Sequence, residues 1–194
     1  PARVHVAGSV GDAERALSID IFDEGELIAS ASADVRGPGP HDIEVTVNEP
    51  HLWSPDDPHL YDLGISYGED AVGSYCAFRS FSIEMVEGHN TGLPVFCCNH
   101  EPVFLKGVLD QGYWPDGLLT APSDEALLYD IETARELGFN MLRKHLKVEP
   151  ARWYYHCDRL GMIVWQDMVN GGAAEYPPLY TSQIPTVSLK IARW

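Results

Sequence analysis

Long apolar runs are missing from this sequence. No stretch approaches the roughly 20 residues that a membrane-spanning helix requires, and no basic–apolar–small pattern opens the chain. A membrane-embedded protein is therefore not expected. Cations are also scarce: 13 Lys and Arg stand against 29 Asp and Glu, a net charge of −16. Such a field repels polyanions, so neither nucleic acid nor an anionic membrane surface is an expected partner. Cysteine is limited to Cys76, Cys97, Cys98 and Cys157, none of them spaced C-x-x-C. Neighbouring Cys97 and Cys98 on a strand would point to opposite faces, so a secreted disulfide framework is not indicated. Free thiols in a cytoplasmic protein are the expectation. No G-x-G-x-x-G follows an apolar run and no phosphate loop is present, which disfavours a nucleotide-binding α/β protein. His51, His59, His89 and His100 have no metal-ligand spacing, and His156 and Cys157 on a helix would face different ways. No cofactor is expected.

What remains is a soluble, globular composition, 45% hydrophobic and 22% charged, in 194 residues. That length allows one large domain or two small ones. The chain has no initiator Met and begins at Pro1, as an excised piece of a longer polypeptide would. The charge is uneven: residues 1–86 carry 16 acidic and 4 basic side chains, residues 87–194 carry 13 and 9.

The same division appears in the periodicity. In residues 1–86, segments such as ALSIDIFDEG, HDIEVTVNEP and YDLGISYGED alternate apolar and polar residues with period 2. Ile19 and Ile21 share one face, as do Ile43, Val45 and Val47. Gly-, Pro- and Asp-rich turns separate six or seven such runs, the pattern of an antiparallel sandwich of immunoglobulin-like size. Trp53 fits the core of that sandwich or its junction with the second half of the chain.

Residues 87–194 change period. Asn99 and His100 lie near a hairpin turn, and Phe104–Leu109 reads as a strand. APSDEALLYDIETARELG predicts a helix with Ser123 as N-cap, Asp124 and Glu125 in the first turn, and Gly138 as the stop. Its inner face is Leu127, Ile131, Ala134 and Leu137. The strand FNMLRKH follows. Pro150 opens a second helix, with Trp153, Cys157 and Leu160 inside and Gly161 closing it. The strand MIVWQD comes next. Alternating strands and helices of this kind build a parallel sheet, either an open doubly wound sheet or a barrel. The Gly/Pro/Tyr-rich stretch after Asp167 reads as a long functional loop, and SLKIARW as the start of a third helix.

Four segments carry a family likeness. HLWSPDDPHLYDL (51–63), PVFLKGV (102–108), DIETARELGFNMLRKH (130–145) and YYHCDRLGMIVWQDM (155–168) together, in this order, resemble family 2 glycoside hydrolases. That family includes β-galactosidases, β-glucuronidases and β-mannosidases. The resemblance implies a multidomain architecture: an all-β immunoglobulin-like sandwich over residues 1–86, then an incomplete (β/α)8 TIM barrel over 87–194 comprising the first three βα units. It also implies retaining hydrolysis of β-glycosides by two glutamates roughly 5 Å apart, and a β-linked carbohydrate substrate.

In the family the acid/base follows the fourth barrel strand within an Asn-Glu pair, and the nucleophile follows the seventh. A barrel needs roughly 250 residues, so neither strand is expected here and the chain alone is expected to be inactive. Asn48-Glu49 has the right dipeptide in the wrong place, inside the sandwich. Glu101, Glu125, Glu132, Glu136, Glu149 and Glu175 do not end strands. An open barrel edge also predicts self-association. The rival reading is a non-catalytic carbohydrate-binding or interaction module.

Barrel chemistry lies at the C-terminal ends of strands. The resemblance places Arg143 near the nucleophile in the floor of a sugar pocket, against the alternative of an internal ion pair. His145, one residue nearer to the arginine than in some relatives, is a sugar-hydroxyl ligand or a structural histidine. Asp167 suits bidentate bonding to vicinal hydroxyls, or a loop anchor. Trp165 is a sugar platform or a core residue. Asp110 and Trp114, with Tyr113, are candidate rim residues.

Overall fold

The computed structural model describes residues 2–9, 15–37, 40–88 and 92–169. The long loop after Val169, Glu175 and the SLKIARW segment lie outside the described residues. The chain forms two compact units, Pro1–Pro102 and Val103–Trp194. This division falls later than the 86/87 boundary read from composition. The reason is local: Phe81–Glu84 pairs antiparallel with Val95–Cys98, which binds residues 81–102 into one sheet.

The first unit is built of sheets. Strands β1 (Ala2–Ser9), β2 (Arg15–Asp23), β3 (Glu26–Val35), β4 (Pro40–Val47), β5 (Tyr61–Tyr67) and β6 (Asp70–Cys76) form two of them. One has the order β3-β2-β5-β6, the other pairs β1 with β4. Strict alternation explains the burial: Leu17, Ile19 and Ile21 of β2 and Ile43, Val45 and Val47 of β4 enter one core with Tyr61, Leu63 and Phe78. A two-residue reversal joins β2 to β3. Its Glu24 and Gly25 both have positive φ, 48° and 87°, which matches the twist of a hairpin.

The run YCAFRSFSIEMV is divided between β6 and β7 (Phe81–Glu84). Phe78, within the break, turns into the core and its carbonyl accepts from the Trp53 N–H at 2.9 Å. β7 joins β8 (Val95–Cys98) and β9 (Glu101–Pro102) in a third sheet. Asn99 and His100, with φ of 52° and 68°, make the turn between β8 and β9. The Asn99 side chain donates to the Trp53 carbonyl at 2.9 Å and accepts from Ser80 N at 2.8 Å. Trp53 is fully buried with the Arg79 guanidinium 4.2 Å from its ring centre.

The second unit has parallel strands β10 (Gly107–Asp110), β11 (Met141–Lys144) and β12 (Ile163–Gln166), in that order, connected by helices α1 (Asp124–Glu136) and α2 (Ala151–Arg159). The first strand starts later than expected; Phe104 is 81% exposed and precedes it. Ser123 caps α1 by accepting from Ala126 N at 3.2 Å. Gly138 ends the helix at φ 84°, where Phe139 N reaches back to Ala134 O. Leu127, Ile131 and Ala134 of α1 and Trp153, Tyr154 and Cys157 of α2 pack on Leu142 of the central strand. The helices are clasped by Asp124, whose carboxylate accepts from Arg152 and His156 of α2. Leu137 is 71% exposed and so does not extend the inner face of α1.

Candidate functional site

Side chains of a β-strand alternate between faces, and a parallel register aligns equivalent residues across neighbouring strands. Leu109, Arg143 and Trp165 therefore form one row across β10, β11 and β12. Asp110, Lys144 and Gln166 form the next row, on the opposite face. The second row faces the helices, because Lys144 shares its side of β11 with buried Leu142. The first row faces away from them, and Leu109 and the Arg143 side chain are about half exposed there. These rows end at the C-terminal edge of a parallel sheet.

On the open face, Arg143 forms a planar fork with Asp167. Its Nε donates to Oδ1 at 3.1 Å and its Nη2 to Oδ2 at 3.0 Å. Such bidentate pairs fix geometry as well as charge. Asp167 is the better shielded partner, its side chain 10% exposed against 51% for Arg143. The two predicted residues are thus brought together, each as the other's ligand. Trp165 is half-buried beside Arg143 in the same row. His145 is half-buried just beyond β11, its N–H held by the Asp110 carbonyl at 2.9 Å.

Asp110 and Trp114 both have partners within the unit. Asp110 Oδ2 accepts from Lys144 Nζ at 2.7 Å and Oδ1 accepts from Gly112 N at 2.8 Å, so both oxygens are engaged internally on the helix face. Trp114 packs against the helix–sheet core, and its main chain exchanges two hydrogen bonds with Leu118. Tyr113, by contrast, is 67% exposed. Glu49 lies in a bend after β4 with φ 47°, not at the end of a parallel strand.

The helix face carries a group that the sequence reading missed. Lys144 is 1% exposed. Its ammonium donates to Asp110 and, at 2.9 Å, to Glu149 Oε1, and stands 4.2 Å from the centre of the Trp153 ring. Lys147 approaches the same Glu149 oxygen at 2.8 Å and donates to Gly112 O at 2.7 Å. Tyr154 continues the network: its hydroxyl accepts from Glu149 N at 3.2 Å and donates to Gln166 Oε1 at 2.5 Å. Burial pushes the Tyr154 phenol up; the Glu149 N–H opposes that and the Glu149 charge adds to it. Gln166 Nε2 donates to the carbonyls of Lys147 and Asp167, each at 2.7 Å. The available signal was alternation: a lysine two residues after Leu142 lies on that residue's buried face.

A concavity of about 470 Å³ opens between α1 and β10, lined in part by Leu109, Asp110, Tyr113, Asp130, Leu137 and Leu142. Arg143, His145, Trp165 and Asp167 do not line it. Partial burial, then the charge of Asp110, raise the Asp130 carboxyl above its ordinary range, with Lys144 acting in opposition. Among the described residues, no three His, Cys, Asp or Glu side chains are grouped to hold a metal ion. No helix there is long and apolar enough to cross a membrane.

Comparison with known proteins gives a concordant result. Residues 2–79 match the family described as glycosyl hydrolases family 2. A putative beta-glucuronidase from Formosa agariphila is 26% identical over 165 residues, covering 82% of this chain and 15% of that protein. A beta-galactosidase from Enterobacter cloacae is 30% identical over 176 residues, covering 83% and 16%. A crystal structure of a glycosyl hydrolase family 2 member from Bacteroides cellulosilyticus superposes with a TM-score of 0.73 at 24% identity, covering 86% of this chain and 24% of that one. A putative beta-galactosidase from Bacteroides fragilis gives 0.71 at 22% identity, over 86% and 26%. The chain spans about 15% of the length of the curated relatives it matches.

Proposed function

Since this chain belongs to glycosyl hydrolases family 2, we propose that it contributes two parts to a retaining exo-β-glycosidase. The first is an immunoglobulin-like sandwich, the expected domain of residues 1–86. The second is the opening of a (β/α)8 barrel, with β10, β11 and β12 as its first three strands. The observation that carries the reading is the Arg143–Asp167 fork at the C-terminal ends of adjacent parallel strands. This is where barrel enzymes keep their chemistry.

In this reading the open face is one wall of a sugar pocket. Asp167 holds the guanidinium plane, and the Arg143 N–H groups that Asp167 does not take are directed to an acceptor. That acceptor is a sugar hydroxyl or the carboxylate of the nucleophile, which a neighbouring guanidinium keeps ionised. Trp165, beside Arg143, offers an apolar surface to a pyranose ring, and His145 a further hydrogen-bonding group. The two glutamates that break the glycosidic bond lie outside these residues, and the chain alone does not turn over substrate. Four free thiols support a reducing, cytoplasmic setting. Among the described strands β10 pairs with β11 alone, and that unpaired edge supports self-association of the isolated chain.

The test is a panel of chromogenic β-galactosides, β-glucuronides and β-mannosides. It is given to the 194-residue chain and to a longer polypeptide containing it. Turnover by the longer protein alone is the expected result. Turnover by the 194-residue chain would place both glutamates within it, against the proposal, and a longer protein inert on every sugar would remove the glycosidase reading. A concentration series by light scattering that gives only monomer would remove the self-association.

A further inference from the structure

Lys144 presents a physical puzzle. Its ammonium is buried under α2 against an aromatic ring, where a Met or Leu would sit beside Leu142 without any desolvation cost. Buried ion pairs are frequently no more stabilising than apolar residues of the same volume. A charge in that position calls for a reason other than stability.

The reason lies in what the residue touches. Through its side chain Lys144 joins Asp110, the last residue of β10, to Glu149, which stands just before α2. Through its carbonyl it accepts from Asp167 N at 3.0 Å. Its chain neighbour is Arg143. One residue therefore holds the main chain of both members of the fork on the opposite face. The same ends are braced again by Asp110 O to His145 N and by Gln166 to Asp167 O. The ladders to β10 and β12 hold the body of β11, but an apolar residue at 144 would only fill space at its C-terminal end. Short charge-assisted bonds to Asp110 and Glu149 tie that end down, where Arg143 leaves the strand.

We infer that Lys144 is a positioning residue, through which the buried Asp110–Lys144–Glu149 cluster holds the Arg143–Asp167 fork in the orientation that receives the sugar. The last clause rests on the proposed glycosidase reading; the holding of the fork does not.

The experiment separates the two. In the ¹⁵N-labelled 194-residue chain, the Arg143 Nε–H signal is assigned by its loss in Arg143→Lys, and its hydrogen exchange is measured. Lys144→Met combined with Glu149→Gln removes both ion pairs of Lys144 while leaving Lys147 its carbonyl partner. With the unfolding transition retained, exchange at Arg143 should quicken at least about tenfold. If that double variant does not fold, Asp110→Asn removes one anchor isosterically, and the same quickening is expected. An Arg143 signal that exchanges at the wild-type rate in a folded variant overturns the inference. In the longer polypeptide, the same substitutions should reduce kcat/KM by roughly tenfold to a hundredfold, as a displaced positioning group does. A folded variant with unchanged kcat/KM and a loosened fork would separate the fork from sugar binding. Absence of any wild-type turnover would refute the glycosidase reading and leave the exchange rate to decide the role of Lys144.

Discussion

Glu149→Gln tests the energetics of the helix-face network most directly. Gln keeps the shape of Glu149 and an acceptor oxygen, but removes its charge. The Glu149 side chain is 2% exposed, and its Oε1 receives two ammonium groups, at 2.9 and 2.8 Å. At an effective dielectric near 20, each contact represents an attraction on the order of 5 kcal/mol. Most of that is offset: an amide costs less to desolvate than a carboxylate, Lys144 keeps Asp110 at 2.7 Å, and Lys147 keeps Gly112 O. What remains is the charge assistance of two buried bonds and an amide N–H₂ needing acceptors, about 2–3 kcal/mol. Urea unfolding should show the midpoint falling at constant slope, and thermal unfolding a decrease of roughly 5–10 °C. The control is Glu44→Gln, which breaks the exposed Arg3–Glu44 pair and should cost at most about 0.5 kcal/mol. A loss at Glu149 no larger than that control would refute the argument that burial makes this network energetically consequential.

Three further outcomes are expected. Gly112→Ala should destabilise the fold by about 2 kcal/mol or more, measured by denaturation, because φ is 60° and the added carbon would meet Glu149 and Lys147. Asp130 has a folded-state pKa above its unfolded value. It therefore contributes stability at acid pH that is lost as pH rises through the folded pKa. Asp130→Asn should remove that loss, giving a flatter stability profile from pH 4 to 7 in circular-dichroism melts, and a profile as steep as wild type would contradict the assignment. Burial pushes the Cys76 thiol up to about 11, so its alkylation at pH 8 should be slow in the native chain and quicken on unfolding, as a mass-spectrometric time course reads.

The period-2 alternation of residues 1–86 identified which side chains enter the core, because a sheet with one buried face leaves a strict imprint: Ile19, Ile21, Ile43, Val45 and Val47 are all buried. Helix termini were equally legible, since Ser123 and Gly138 act through local hydrogen bonds and backbone freedom that the sequence encodes directly. Strand limits in the second unit were less so. Phe104 and Phe139 are strand-forming residues, but what starts a parallel strand is the partner it meets, and Lys106 and Asn140 bond to each other before the ladder begins.

The candidate site was legible only on one face. Arg143, Trp165 and Asp167 stood out because polar or aromatic residues at strand ends invite a functional reading. That Arg143 and Asp167 select each other is a matter of distance between separate strands, which spacing of 24 residues does not disclose. Lys144 was overlooked next to Arg143, although the same alternation assigns it to the interior. The Lys144–Asp110 pair is likewise a matter of distance between separate strands, across a spacing of 34 residues.

The two charged neighbours Arg143 and Lys144 also bear on how the sheet finds its register. A slip of β11 by one residue exchanges the faces of every side chain it carries. In most strands the penalty for that error is exposure of one or two apolar groups. Here the slipped strand would drive a guanidinium into the layer beneath Trp153, withdraw the Lys144 ammonium from Asp110 and Glu149, and strip Asp167 of its ligand. Adjacent unlike duties thus act as a proofreading device, and insertions or deletions between Met141 and Lys144 should be among the least tolerated changes in the chain.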